Sequence, residues 1–167
     1  MPTIGLDLGC GTQPQNKLNM DVVYGIDVRD DLDKNIVRAD LVLEKIPFED
    51  NFFDSVTAYD FIEHIPRLIY APHRRYPFVE LMNEIWRVLK PGGQFLSVTP
   101  AFPHAAAFFD PTHVNYITPE TFEFYFCVPK RRAAQYGFYG CFQISKQKWY
   151  GPHLASSLIK IASPDRP

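Results

Sequence analysis

Cysteine is scarce in this sequence: Cys10, Cys127 and Cys141 are the only three among 167 residues. An odd, widely spaced set rules out a disulfide framework and fits a reducing compartment, so a cytoplasmic protein is expected. Excess charge of either sign is missing too. Seventeen Lys and Arg against nineteen Asp and Glu give a net charge of −2. No global field therefore argues for nucleic acid, although a local contact stays open. No apolar run is long enough to cross a bilayer, and no signal peptide is expected. Repeats and low-complexity tracts are absent. What remains is an ordinary globular composition, 46% hydrophobic and 22% charged. It suffices for one core and not two, so a single domain over residues 1–167 is expected.

Against that background one stretch stands out. Thr3 to Thr12 reads TIGLDLGCGT, an apolar run ending in Gly9-Cys10-Gly11. This is the strand-then-glycine turn that opens nucleotide-binding α/β domains. The third glycine of the dinucleotide fingerprint is missing, because the loop continues Thr12-Gln13-Pro14. A carboxylate, Asp7, also ends the strand. A pyrophosphate wants backbone N–H groups and no nearby anion. An acid here suits a positively charged ligand instead, and the sulfonium and ammonium groups of S-adenosyl-L-methionine meet that need.

LDLGCGT resembles the first motif of the class I S-adenosylmethionine-dependent methyltransferases, and later segments resemble their type-11 branch, from about Ile4 to about Ala162. The resemblance implies an α/β, Rossmann-like doubly wound sheet, mostly parallel with an antiparallel last strand. It also implies a methyltransferase using S-adenosyl-L-methionine. Asp7, Gly9 and Gly11 would hold the methionine end of the cofactor. Asp27 closes a second strand, Val22 to Asp27, 20 positions after Asp7, and would accept from the ribose hydroxyls. Asp40 follows a third strand, Ile36 to Ala39, and would accept from the adenine amine, with Leu41 packed on the ring. The run Pro47 to Val56 resembles the family's entry into a fourth strand, Ser55 to Tyr59. Cys10 is read as a small filler beside the glycines.

One departure has consequences. Only ten residues separate Gly11 from Val22, and only eight separate Asp27 from Ile36. A helical parallel crossover needs roughly 10–12 or more. The first two crossovers must therefore be shortened. Since strands two and three are apolar on both faces, the C-terminal segment, a second copy of the chain or a partner subunit is expected to cover them.

The fourth strand runs into Asp60-Phe61-Ile62-Glu63-His64. In open α/β sheets ligands bind outside the carboxyl ends of the strands, so Tyr59 and Asp60 should lie near the methionine part of the cofactor. Three readings of Glu63-His64 stay open. It resembles the family's E-H pair, with His64 as a general base. With Asp60 it resembles the E-x-x-E-H metal site of small-RNA 2′-O-methyltransferases and ubiquinone-pathway O-methyltransferases, His104 or His113 adding a ligand. Or it is a plain helix start, with acids favoured by the dipole.

Downstream, Pro66 to Pro77 carries Arg67, His73, Arg74 and Arg75 and reads as a lid or acceptor-binding segment for an anionic group, or as a solvated loop. Phe78 to Leu89 shows an apolar helical stripe stopped by Lys90-Pro91-Gly92-Gly93, then a fifth strand, Gln94 to Thr99. The segment Asp110-Pro111-Thr112-His113 resembles the D-P-x-H of type-11 enzymes over the acceptor pocket, making His113 a second candidate for proton handling and His104 a third. Thr118-Pro119-Glu120 starts a helix leading into the rings Phe122, Phe124, Tyr125 and Phe126. Lys130-Arg131-Arg132 reads as solvated surface. Cys141 to Trp149 and Leu154 to Ala162 fit a last hairpin. A small-molecule acceptor is expected. A non-catalytic cofactor-binding subunit is the competing reading.

Overall fold

The structure, a computed structural model, describes residues 1–164. Seven strands form one sheet: β1 (Ile4–Leu8), β2 (Val22–Asp27), β3 (Ile36–Arg38), β4 (Phe53–Tyr59), β5 (Leu89–Pro100), β6 (Phe142–Tyr150) and β7 (His153–Lys160). Their order is β3-β2-β1-β4-β5-β7-β6. Every neighbour pair is parallel except β5–β7 and β6–β7. This is the Rossmann-like sheet expected, with the antiparallel strand inserted beside β5. The strand order reverses between β1 and β4, which opens a crevice at their carboxyl ends.

Among the described residues there are two α-helices, α1 (Pro77–Val88) and α2 (Pro119–Tyr125). Both open on proline at the first turn, where its missing N–H costs nothing. In α1, Phe78, Leu81, Met82, Ile85 and Val88 are buried. They join Leu6, Leu8, Val56, Phe95, Leu154 and Leu158 in one core, and Phe122 of α2 meets Phe95 on the same side. Both helices therefore lie on one face. The helix stops at Val88, earlier than expected, and Pro91-Gly92-Gly93 lies inside β5 as an irregularity against β4.

On the opposite face, connectors stand where crossover helices would be. Residues 10–20 lie flat on the sheet because two positions lack a Cβ. A Cβ at Gly25 would come within 2.4 Å of Cys10 Sγ and 2.7 Å of Pro14 Cγ, and one at Gly5 within 2.9 Å of Met20 Cγ. Gln15 N–H donates to Asp7, and Asn16 and Met20 bond reciprocally. The β3–β4 connector, by contrast, lies on the α1 side, where Phe48 and Phe52 form a ring cluster with Tyr24 and Phe53. Arg87 of α1 ties that connector down through Asp50 and the carbonyls of Ile46 and Phe48.

The tail does not cover strands two and three, contrary to expectation. Ile161 donates to Cys141 and accepts from Trp86, so it runs along the α1 side. The chain's own loops do the covering at β1 and β2. Farther along, Leu96, Val98, Ala155 and Ile159 stay half-buried, with no α-helix above them among the described residues.

Candidate active site

Asp7 is 1% exposed at the end of β1. Its Oδ1 accepts the Thr57 hydroxyl and its Oδ2 the Gln15 N–H, each at 2.8 Å. Burial pushes its pKa up, and the two hydrogen bonds pull partly against that. Gly9 and Gly11 follow with φ of +66° and +63°, a region that side chains disfavour. At Gly9 there is no room either, since a Cβ would come 2.3 Å from the Phe61 ring. The N–H groups of Gly9 and Cys10 donate to the Ile26 carbonyl, which locks the turn onto β2.

Asp27 closes β2 with its carboxylate aimed across that turn. Oδ2 accepts the Gly11 N–H at 3.1 Å, and Oδ1 meets Arg29 at 3.3 Å. The Arg29 side chain is 75% exposed, so that ion pair is worth little and a ligand can displace it. Burial, with Asp7 and Asp27 nearby, pushes the Cys10 thiol up to about 12. It stays protonated and acts as the filler expected.

The adenine-side candidates are arranged less openly. Asp40 Oδ1 accepts the Val42 N–H at 3.0 Å and caps a turn, leaving Oδ2 without a partner among the described residues. Leu41 is only 8% exposed and belongs to the main core.

At the end of β4 the expected cluster divides. The Tyr59 hydroxyl is buried without a partner among the described residues, and burial beside Asp7 pushes it up to about 12. Asp60 takes a left-handed backbone, φ +46°, and its Oδ1 lies 3.0 Å from His153 Nε2. It therefore faces β7 and does not join Glu63 and His64, as the metal reading had it. His104 stacks near Trp149, ring centres 5.1 Å apart, outside the cluster as well.

Glu63, His64 and His113 do come together, their ligand atoms all within 4.8 Å of one another. Glu63 is 1% exposed. Its Oε2 accepts the Thr99 hydroxyl at 2.7 Å, while Oε1 is buried with no partner among the described residues. Burial raises its pKa. The rings of His64 and His113 meet edge to face at 4.9 Å. Hydrogen bonding assigns the tautomers. Thr112 Oγ1 donates to Asp110 at 2.7 Å, so at 3.0 Å it must accept from His64 Nδ1–H. The Ala107 carbonyl can only accept from His113 Nδ1–H. Each ring is left with Nε2 as its basic nitrogen.

Asn115 joins this cluster to the rest. Its N–H donates to the Glu63 carbonyl, its amide to the Ile62 carbonyl, and its Oδ1 accepts from Arg67 Nε at 2.7 Å. Arg75, expected in a lid, is held by Glu80 and the Val42 carbonyl instead and serves as a brace. Thr112, Thr99 and Asn115 were not singled out from the sequence. Of the three, only Thr112 carried a signal, as the residue between Asp110-Pro111 and His113.

The comparisons agree with this fold. The Methyltransferase domain model of type 11 matches residues 6–97. Among solved structures, the S-adenosylmethionine-dependent methyltransferase of Archaeoglobus fulgidus superposes with a TM-score of 0.62 at 17% identity, covering 95% of this chain and 86% of its own. That of Mesorhizobium loti gives 0.61 at 15% identity, covering 95% and 91%. A chain from the complex between the Haloferax volcanii Trm112 methyltransferase activator and a methyltransferase gives 0.63 at 13% identity, covering 96% and 84%. No curated protein matches the sequence. These likenesses carry the fold, and the family model spans more than half of the residues: the chain belongs to the type-11 methyltransferase domain family.

Proposed function

We propose that this chain binds S-adenosylmethionine and transfers its methyl group to a small-molecule acceptor. The observation that carries the reading is the pairing of the Asp27 carboxylate with the Gly11 N–H beside the buried Asp7. It places two acids at adjacent strand tips around a bare glycine turn. When bound, the sulfonium supplies an electrophilic methyl group. The chain's residues hold the acceptor in line with it, and His64 Nε2 takes the proton of an acceptor that must lose one. The acceptor's electron pair would form the new bond to carbon, and the carbon–sulfur pair would return to sulfur. Calorimetric titration of the purified chain with S-adenosylmethionine and with its demethylated product is the test. Saturable one-to-one binding of both supports the reading, and no binding of either removes it.

A second reading is favoured by the orphaned Glu63 Oε1. Two imidazoles and a carboxylate on one side of a small space suit a divalent transition metal. Glu63, His64 and His113 would hold it, and it would lower the pKa of an acceptor hydroxyl. Elemental analysis decides: a stoichiometric metal lost in Glu63→Gln supports it, and metal-free protein with full transfer activity in chelator refutes it. A partner or second copy is supported by the half-buried Leu96, Val98 and Ile159; light scattering that shows a monomer at all concentrations removes the second copy.

A further inference from the structure

A cavity of about 900 Å³ lies apart from the cofactor candidates. It lies between the segment around Arg67, the start of α1, the β5–α2 connector, α2 and the turn at residues 132–136. Nine of its sixteen lining residues are Phe or Tyr. Phe78 and Phe126 form a buried floor, while Phe102, Phe108, Tyr116 and Tyr136 stand 42–53% exposed around the rim. Rings of that size left in water in one patch mark a surface that meets an apolar partner, and the volume is within the ~300–1,000 Å³ of small-molecule sites.

The charges of the cavity are unbalanced. Its cations are Arg67 and Arg132, and its one acid is Glu120, which already accepts from Thr118. Arg67 is exposed by surface area, although the atoms packed around its guanidinium still push it down through desolvation. It has no carboxylate partner among the described residues: Nε bonds Asn115, Nη2 bonds the Tyr116 carbonyl, and Nη1 has no partner there. An accessible guanidinium with Nη1 unused and no counter-ion can offer a carboxylate a planar pair of donors. Arg132 lies 5.5 Å from the Phe124 ring, also without an ion pair among the described residues. The cavity is also joined to the chemistry. The run His113 to Tyr116 places His113 against His64 and Tyr116 on the cavity wall, with Arg67 fastening Asn115 between them.

We infer that this cavity is the acceptor site and that it selects aromatic acids of two or more rings, with the carboxylate at Arg67 and Arg132 and the ring system stacked among Phe102, Phe108 and Tyr116. This rests on the methyl-transfer reading for its use, but not for its test. The probes are 2-naphthoate, its neutral amide 2-naphthamide and the aliphatic acid octanoate, titrated calorimetrically into the full chain. The expected result is one site, with naphthoate at least tenfold tighter than either control. Arg67→Met should erase the naphthoate–naphthamide difference, and Arg132→Met should reduce it about threefold. Arg132 is exposed, so its variant keeps the test alive if Arg67→Met does not fold. Affinity for the demethylated cofactor, measured on the same samples, should not change in either variant. Equal binding of naphthoate and naphthamide overturns the charge assignment, and equal binding of naphthoate and octanoate overturns the aromatic one. Loss of cofactor binding in wild type with naphthoate selectivity intact would sink methyl transfer and leave the aromatic-acid site standing.

Discussion

The two halves of the sheet hold their ligand candidates by opposite means. From β1 to β3 the connectors are short and carry no α-helix, and the groups on offer are backbone N–H donors and strand-end carboxylates: Asp7, Gly11 and Asp27. From β4 onward the connectors are long, and what they offer is side chains: Glu63, His64 and His113, and the ring-lined cavity. A turn built on backbone leaves few substitutions open, because its geometry depends on positive φ and missing Cβ atoms. A site built on loop side chains can be rewritten residue by residue. The first half is thus suited to a constant ligand and the second to a variable one.

Four substitutions break or sharpen that contrast. The largest effect is expected from His64→Gln, which should lower kcat on the order of 10²-fold for an acceptor that loses a proton, with cofactor affinity unchanged by calorimetry. Next is Asp27→Ala. Removing a charged acceptor costs about 2 kcal/mol, hence about 30-fold in cofactor affinity, while 2-naphthoate binding should hold. Third is Gly25→Ala, which drives a Cβ into Cys10 and Pro14 and should lower stability by about 2 kcal/mol in urea. Adding Cys10→Gly should recover part of that loss; no recovery would mean that the connector does not rest on Gly25.

The smallest effect concerns Asp7. Its folded pKa is raised above 3.8. Below 3.8 both states are protonated and there is no penalty. As pH rises, the unfolded chain loses the proton first, so wild-type stability falls until the folded group also ionises. Asp7→Asn escapes this and can still accept from Gln15 and donate to Thr57, whose hydroxyl can turn to the Leu6 carbonyl. It should be more stable than wild type at pH 7, the gap closing toward pH 3.8. An unchanged or inverted gap would show that the carboxylate stabilises the fold.

Much of this was legible in the sequence where local pattern decides. The boundaries of β2 and the apolar stripe of α1 follow from periodicity alone. Asp27 was legible as the acid that closes β2, while its role is what the resemblance implies. Less visible were contacts that depend on distant residues. Nothing in the sequence places Phe61 on Gly9 or turns Asp60 toward His153. Arg75 read as a ligand group because its partner, Glu80, shows only once the segment has folded back. The cavity was legible only as scattered rings and an isolated Arg67, spread over some 70 positions.

The connector from Cys10 to Asp21 is pinned nearly every few residues: Cys10 and Pro14 on Gly25, Gln15 on Asp7, Met20 on Gly5, Asp21 on Thr3. Such a segment has a fixed gauge. One extra residue anywhere along it would put every later anchor out of step, whereas the ring-bearing loops can grow or shrink at their tips. Length variation in chains built this way should therefore collect above the second half of the sheet, and the span over the first two strands should keep its count.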